Sequence, residues 1–284
     1  FLSGDFYSEA VQDFEKALGG RSTDSWRART YGLHFVEFFP NRELGVAYFG
    51  LERYDEAETY LARSLEQVDT ERAHYYLDLV KRAKIASGAL QDTTTPAVQT
   101  DLADQTLVTT RQVAFAIDAK DDVGVAEVQV NGEELHQRGS AEAVVFEEEL
   151  LLDEGTHEIE VAATDLADKK VVEKKEVVVD LTGPTIGIFA PIEPTVTPEG
   201  TVILEGATVD TNGVISVGVD ERVLAESPGA PRLEFNTELP LTDGENTFVL
   251  AALDKAGNES RSAVKVFRGD PSSYQAKLWL LEQK

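Results

Sequence analysis

The 284-residue sequence predicts a multidomain, α-then-β protein: a helical first third followed by two consecutive all-β units of equal length. Three observations predict it. Up to Gly88 the apolar residues recur at spacings of three and four, the period of an amphipathic helix. Beyond the small polar run Thr93-Thr94-Thr95-Pro96, which reads as a linker, they alternate with polar residues, the period of half-buried strands. The β part then repeats itself at a constant offset of 89 residues.

The first helix is drawn by Phe6, Ala10, Val11, Phe14, Ala17 and Leu18 and ends at Gly19-Gly20. The chain opens at Phe1 already inside this helix and without a methionine, which reads as a fragment or a processed chain. A second helix is expected from about Asp24 to Phe39, after the capping residues Ser22 and Thr23; it carries Trp26, Tyr31, Phe35 and Phe38 and stops at Pro40. Next come Asn41, Leu44-Gly45, Tyr48, Leu51, Tyr54, Ala57, Leu61 and Ser64, and a further helix from Thr70 to about Ser87.

This last pattern resembles the tetratricopeptide repeat, with Leu44-Gly45 and Tyr48 on its first helix and Ala57 and Leu61 on its second. Small Gly45 and Ala57 let two helix backbones approach, while Tyr48, Tyr54 and Leu61 fill the space between. Tyr7, Ala10, Phe14 and Ala17 repeat the second half of the pattern. Ala10 and Ala57 stand 47 residues apart instead of about 34, so the aromatic helix reads as an insertion between repeats. Asn41 departs from the typical Trp, and no Pro closes the repeat near Asp69. The resemblance implies a groove lined by Phe39, Arg42, Val46 and Phe49 that takes another protein or a peptide. The competing reading is that these four pack against the inserted segment or an upstream repeat.

In the β part, Val113, Phe115 and Ile117 alternate with polar or small residues, Val128 and Val130 alternate before Asn131-Gly132, and Ile159, Val161 and Ala163 follow. Gly124, Gly155 and Asp165 recur as Gly213, Gly244 and Asp254; Val113, Phe115, Val128, Phe146, Leu150 and Ile159 recur as Val202, Leu204, Val217, Phe235, Leu239 and Phe248. A unit of about 90 residues with six or seven short strands has the size of an immunoglobulin-like antiparallel β-sandwich. Boundaries follow: helical hairpin repeats over 1–88, sandwiches over 96–181 and 184–269, and a terminal helix over 270–284.

Asp121-Asp122-Val123-Gly124-Val125, the strand and turn from Val128 to Leu135, Leu152-Asp153-Glu154-Gly155 and Asp254-Lys255-Ala256-Gly257-Asn258 resemble the bacterial immunoglobulin-like modules of the glucodextranase domain-B type, over roughly residues 96 to 269. The first copy carries Asp168 and Lys169 where that family has Gly and Asn, which places Asp168 at positive φ. The resemblance implies non-catalytic modules of the cell envelope or secreted space, in the periplasm, outer-membrane-associated or released. Two alternatives stand beside it: the accessory arm of a larger enzyme such as a caspase-like peptidase, and a carbohydrate-binding or adhesion module. Against the latter, Trp26 and Trp279 both lie outside the sandwiches.

Net charge is −26, and it is concentrated: 15 acidic and 11 basic residues precede Ala89, 37 and 15 follow. Such a surface repels phosphate backbones and anionic lipid, which excludes nucleic acid as a partner. Cysteine is absent, so disulfides, thiolate metal sites and cysteine nucleophiles are excluded. No apolar run is long enough to span a bilayer. Glu147-Glu148-Glu149 and Asp121-Asp122 read as solvated residues and not as a glycosidase pair. His34, His74, His136 and His157 stand singly, without metal-ligand spacing.

Calcium is the one cofactor to carry forward, through loop aspartates Asp118, Asp121 and Asp122 in one module and Asp210 and Asp254 in the other, with turn formation as the competing role. Asp270-Pro271-Ser272-Ser273 caps a terminal helix whose face Tyr274, Leu278, Leu281 is expected to dock or to lead into further chain. The sequence therefore reads as a non-catalytic protein-interaction scaffold, part of a larger assembly or polypeptide.

Overall fold

The structure, a computed structural model, describes residues 6–283. The chain packs as two compact units, one formed by residues up to Ala103 with Ala114–Glu148 and Glu158–Lys175, the other by Asp104–Val113, Glu149–His157 and the residues from Glu176 onward.

The first unit begins with α1 (Tyr7–Gly20), β1 (Ser25–Arg29), β2 (Phe35–Phe38), α2 (Pro40–Gly50), α3 (Tyr54–Gln67) and α4 (Glu71–Ala86). α1 buries Ala10 and Val11 of the expected stripe; the start of that predicted helix, residues 1–5, lies outside the described residues. The predicted helix over 24–39 is instead an antiparallel hairpin, with Ser25 opposite Phe38, Ala28 opposite Val36 and Arg29 opposite Phe35. Gly32 turns it at φ +70. Two causes act together. Aromatic and β-branched residues favour the extended backbone, and Asp24 does not start a helix of its own but spends its carboxylate on the next one. Asn41 N and Arg42 N, at the start of α2, donate to Asp24 Oδ1 (2.9 Å) and Oδ2 (3.2 Å), while Asn41 Nδ2 donates to Oδ1 (3.0 Å). Asp24 N in turn donates to Gln67 Oε1 at the end of α3, at 2.7 Å.

Helices pack in chain order, α1 on α2, α2 on α3 and α3 on α4, around Ala10, Leu44, Val46, Ala47, Tyr48, Ala57, Leu61, Ala73 and Val80. Tyr48 stacks on Tyr60 and donates to Glu15 Oε1 at 2.9 Å; burial first, then Glu15, pushes its phenol up to about 12. Gly45 is a close-approach residue: a Cβ there would lie 2.6 Å from Leu61 Cγ and 3.1 Å from Leu61 N. Gly45→Ala is therefore expected to destabilise the helical part by about 1–3 kcal/mol, despite alanine's better helix propensity; an unchanged urea midpoint by far-UV circular dichroism would refute the close packing. Four helices and a hairpin in this region do not establish a tetratricopeptide array.

The first β module comprises β3 (Ala97–Thr100), β4 (Thr106–Val108), β5 (Gln112–Val130), β6 (Glu133–Glu134), β7 (Ala141–Leu151), β8 (Gly155–Asp165) and β9 (Lys170–Val179). Within the first unit, the middle of β5 pairs with β3 (Ile117 opposite Thr100) and its end with β8 (Val125 opposite Asp165). One strand thus serves two neighbours along its length, and Phe115, Ile117, Val125, Val128, Ile159 and Val161 are buried in alternation. Asn131 and Gly132 take positive φ in the expected tight turn, as does Asp168 in its own. α4 is tied to this module. Ser140 N and Oγ donate to the Asp78 carboxylate at 3.0 and 2.5 Å, Arg138 pairs with Asp69 at 2.7 Å, and Arg82 donates to Asp168 Oδ1 at 2.6 Å.

The second unit holds the parallel pairing of β4 with β9 (Thr106 opposite Val177) and a second module of β10 (Thr185–Ala190), β11 (Thr195–Thr197), β12 (Thr201–Val219), β13 (Arg222–Pro240), β14 (Gly244–Asp254) and β15 (Glu259–Arg268). β12 lies between β10 and β13 over Glu205–Val209, then, after a register shift, between β13 and β14 over Val214–Val219. The switch folds the sheet over one core of Leu204, Val217, Phe235, Leu239, Phe248, Leu250, Val264 and Val266. β11 adds in parallel to β15, as β4 does to β9.

A final helix, α5 (Tyr274–Glu282), is capped by Ser273 Oγ, which accepts from Ala276 N at 3.1 Å. The face expected to dock or to lead into further chain does not dock: Tyr274, Leu278 and Leu281 are exposed, and Ala276 and Trp279 are buried. Trp279 wins because it contributes the largest apolar area and a donor; its ring packs on Phe267 and its Nε1 donates to Glu245 Oε2 at 2.5 Å. Trp279→Ala is expected to release α5 alone, raising hydrogen exchange in residues 274–282 by at least about tenfold while β14 and β15 stay protected. Unchanged exchange in α5 would refute the anchor.

Candidate metal centres

Each module begins and turns on aspartates. Asp121, in β5, accepts from Val123 N and Gly124 N through Oδ2, both at 2.9 Å; its repeat partner Asp210 accepts from Asn212 N (2.7 Å) and Gly213 N (3.0 Å). Asp165, ending β8, accepts from Ala167 N and Lys169 N through Oδ1, both at 2.8 Å; Asp254 does the same for Gly257 N (2.7 Å) and Asn258 N (2.8 Å). These bonds fix the turns, as aspartates in turns commonly do. In Asp121 and Asp165 they leave the second oxygen buried.

A third aspartate completes each set from the segment leading into the module, Asp92 after α4 and Asp180 after β9. Asp92, Asp121 and Asp165 bring one carboxylate oxygen each within 4.8 Å of one another, and Asp180, Asp210 and Asp254 do likewise. Among the described residues these are the two groups of acidic or histidine side chains that converge so.

The two triads are partnered differently. In the second, side-chain amides intervene: Asn212 Nδ2 donates to Asp180 Oδ2 at 2.7 Å, and Asn258 Nδ2 to Asp254 Oδ2 at 3.0 Å. In the first, Val123 stands where Asn212 would and Lys169 where Asn258 would. The Lys169 ammonium bonds Asp92 Oδ1, Asp92 O (3.0 Å) and Thr94 O (2.7 Å), and lies 3.9 Å from Asp165 Oδ2. Asp92 Oδ2, Asp121 Oδ1 and Asp165 Oδ2 are all buried without a hydrogen-bond donor. Burial pushes the Asp165 carboxyl up, and the charges of Asp92 and Asp121 add to it, against the Lys169 and Ala167 amides.

Of the calcium candidates read from sequence, the fold gathers Asp121, Asp210 and Asp254 and leaves out the other two. Asp118 pairs with Lys120 at 2.6 Å, and Asp122 accepts from Thr94 Oγ1 (2.7 Å) and Thr93 Oγ1 (2.9 Å), which hold its carboxyl below the usual range. Asp92, Asp165 and Asp180 were missed. Asp165 was visible as the repeat partner of Asp254; Asp92 and Asp180 sit 88 residues apart, one off the repeat, and lie outside the strand pattern.

The groove residues are placed inside the structure. Phe39 is buried under the edge of Trp26 and the Arg42 guanidinium, Val46 is buried, and Phe49 packs on Tyr54 and Tyr76. Arg42 is half-buried and pairs with Glu43 at 2.8 Å. The hairpin that replaced the expected helix covers Phe39 and instead exposes its own Trp26, Tyr31, Leu33, Phe35 and Val36. The four histidines are dispersed: His34 and His136 are exposed, His74 bonds Asp69 at 2.7 Å, and His157 bonds Asp153 O at 2.7 Å.

Fold and sites together define a chain of immunoglobulin-like β-sandwich modules preceded by a helical part. No protein-family model matches the sequence, and no curated protein does. Among solved structures it is similar to the fibronectin(III)-like modules of Clostridium thermocellum CbhA, at 15% identity over 61% of this chain and 94% of that one, TM-score 0.32. The human OSCAR ligand-binding domain matches at 16% identity over 62% and 97% of the chains, TM-score 0.29. A Bacteroides ovatus glucan-utilisation protein, SGBP-B, solved in complex with a mixed-linkage heptasaccharide, matches at 15% identity over 61% and 48%, TM-score 0.23. No helix among the described residues is long and apolar enough to cross a membrane.

Proposed function

We propose that this chain is a non-catalytic, extracytoplasmic interaction scaffold whose N-terminal helical part, a divergent relative of the tetratricopeptide repeat, binds another protein while the acidic sandwiches act as spacers. The observation that supports it is the β1–β2 hairpin. Tyr31 and Leu33 are 95% and 83% exposed at its tip, with Trp26, Phe35 and Val36 beside them. An apolar cluster of this kind on an otherwise charged protein marks an interaction site. Arg21, Arg27 and Arg29 flank it in a chain of net charge −26, so the partner that complements it is an acidic protein segment with apolar anchors.

The test is affinity capture from the native envelope fraction by the full chain, compared with a variant carrying Trp26→Ser, Tyr31→Ser, Leu33→Ser and Phe35→Ser. A partner retained by the wild type, released by salt and lost with the variant is the expected result. Equal capture by both chains, or a partner with a basic contact surface, would overturn the assignment.

A further inference from the structure

We propose that Asp92, Asp121 and Asp165 form a divalent-cation site of calcium type that staples the segment after α4 to the first β module. The proposal goes beyond the scaffold reading and does not depend on it. Three carboxylates face one lysine here, leaving two uncompensated negative charges in a region where Asp165 and the Asp92 side chain are fully buried. Each carboxylate contributes one buried oxygen with no donor. Buried anionic oxygens are retained only when something satisfies them, and no protein donor reaches these.

The spacing suits a large, hard cation. Calcium takes oxygen ligands at about 2.3–2.6 Å, so ligands on opposite sides of one ion lie up to about 5 Å apart, compatible with oxygens within 4.8 Å of one another. Asp121 and Asp165 are already held in place by backbone amides through their other oxygens, and Asp92 by the Lys169 ammonium, which preorganises the site. The second triad is the internal control. There Asn212 supplies the donor that Val123 cannot, and Asn258 replaces a cation with a neutral amide. Charge alone does not separate the two, since the second triad holds three carboxylates and no cation; what separates them is that only the first leaves three buried oxygens without a donor, and there the ion is expected.

The test is calorimetric titration of the EDTA-stripped full chain with calcium chloride, with thermal unfolding in EDTA and in calcium. One site per chain is expected, with Kd on the order of 10⁻⁴ M, as for extracellular modules, and a higher Tm in calcium. Asp121→Asn keeps an oxygen for the Val123 and Gly124 amides but removes the charge; it is expected to weaken binding at least about tenfold, with circular dichroism confirming the fold. Asp210→Asn is expected to leave binding unchanged. Absence of heat and of any Tm difference for the wild type would overturn the proposal, because Lys169 alone would then suffice. Loss of binding in Asp210→Asn with retention in Asp121→Asn would overturn it by moving the site to the other triad.

Discussion

Asp24→Ala is expected to cost about 3–5 kcal/mol of unfolding free energy in the helical part, more than any single helix cap ordinarily contributes. The reason is the number of groups it leaves without a partner. The Asp24 carboxylate is 5% exposed and receives Asn41 N, Asn41 Nδ2 and Arg42 N. Pro40 precedes these donors, and Asn41 is fully buried, so water does not replace the lost acceptor. Asp24→Asn retains one oxygen and is expected to lose about half as much. Urea denaturation followed by far-UV circular dichroism reads both. A loss under about 1 kcal/mol for the alanine variant would mean that α2 is not held by this network.

Gly213→Ala is expected to cost the second module roughly 3 kcal/mol or more. Gly213 has φ +105, and a Cβ there would sit 2.4 Å from Gly229 O and 2.7 Å from Gly229 C. Backbone cannot swing away as a side chain does. Its repeat partner Gly124 meets side chains alone, Ser140 at 3.1 Å and Leu166 Cδ1 at 3.5 Å, so Gly124→Ala is expected to cost about 1 kcal/mol. Thermal unfolding of the two variants side by side measures the contrast. Equal losses would show that the repeat imposes the same backbone constraint twice and that the close approach to Gly229 is immaterial.

The β repeat was readable because alternation is a local property. Phe115, Val128 and Ile159 announce buried strand positions with no knowledge of what covers them, and Leu204, Val217 and Phe248 announce them again 89 residues later. The hairpin over 25–38 was not readable in the same way. Its aromatic spacing fits a helix as well as a strand, and what decides between them is Asp24 reaching α2 and Trp26 packing on Phe39, contacts between segments that no window of sequence contains. The surroundings of the groove residues were illegible for the same reason, since burial of Phe39 and Val46 follows from their neighbours in space. One turn shows the converse. Asn131-Gly132 is a recognisable tight-turn pair, but its repeat partner Asp220-Glu221 is not, and yet both Asp220 and Glu221 take positive φ. Strand register compels them: Asp220 N donates to Val249 O and Val249 N to Asp220 Oδ1, both at 2.9 Å.

Taken alone, then, the order of residues determines the α-then-β division, the duplicated sandwich and the turns that Gly155, Gly244 and Asp168 allow, because period and backbone preference act over a few residues. Only the tertiary structure decides that three aspartates from three distant segments meet in each module, that one triad is satisfied by asparagines and the other left with bare buried oxygens, and that Trp279 rather than Leu278 anchors the last helix. Those outcomes depend on which groups are brought within a few ångströms in a space that excludes water, and that distance is set by the packing of the whole module.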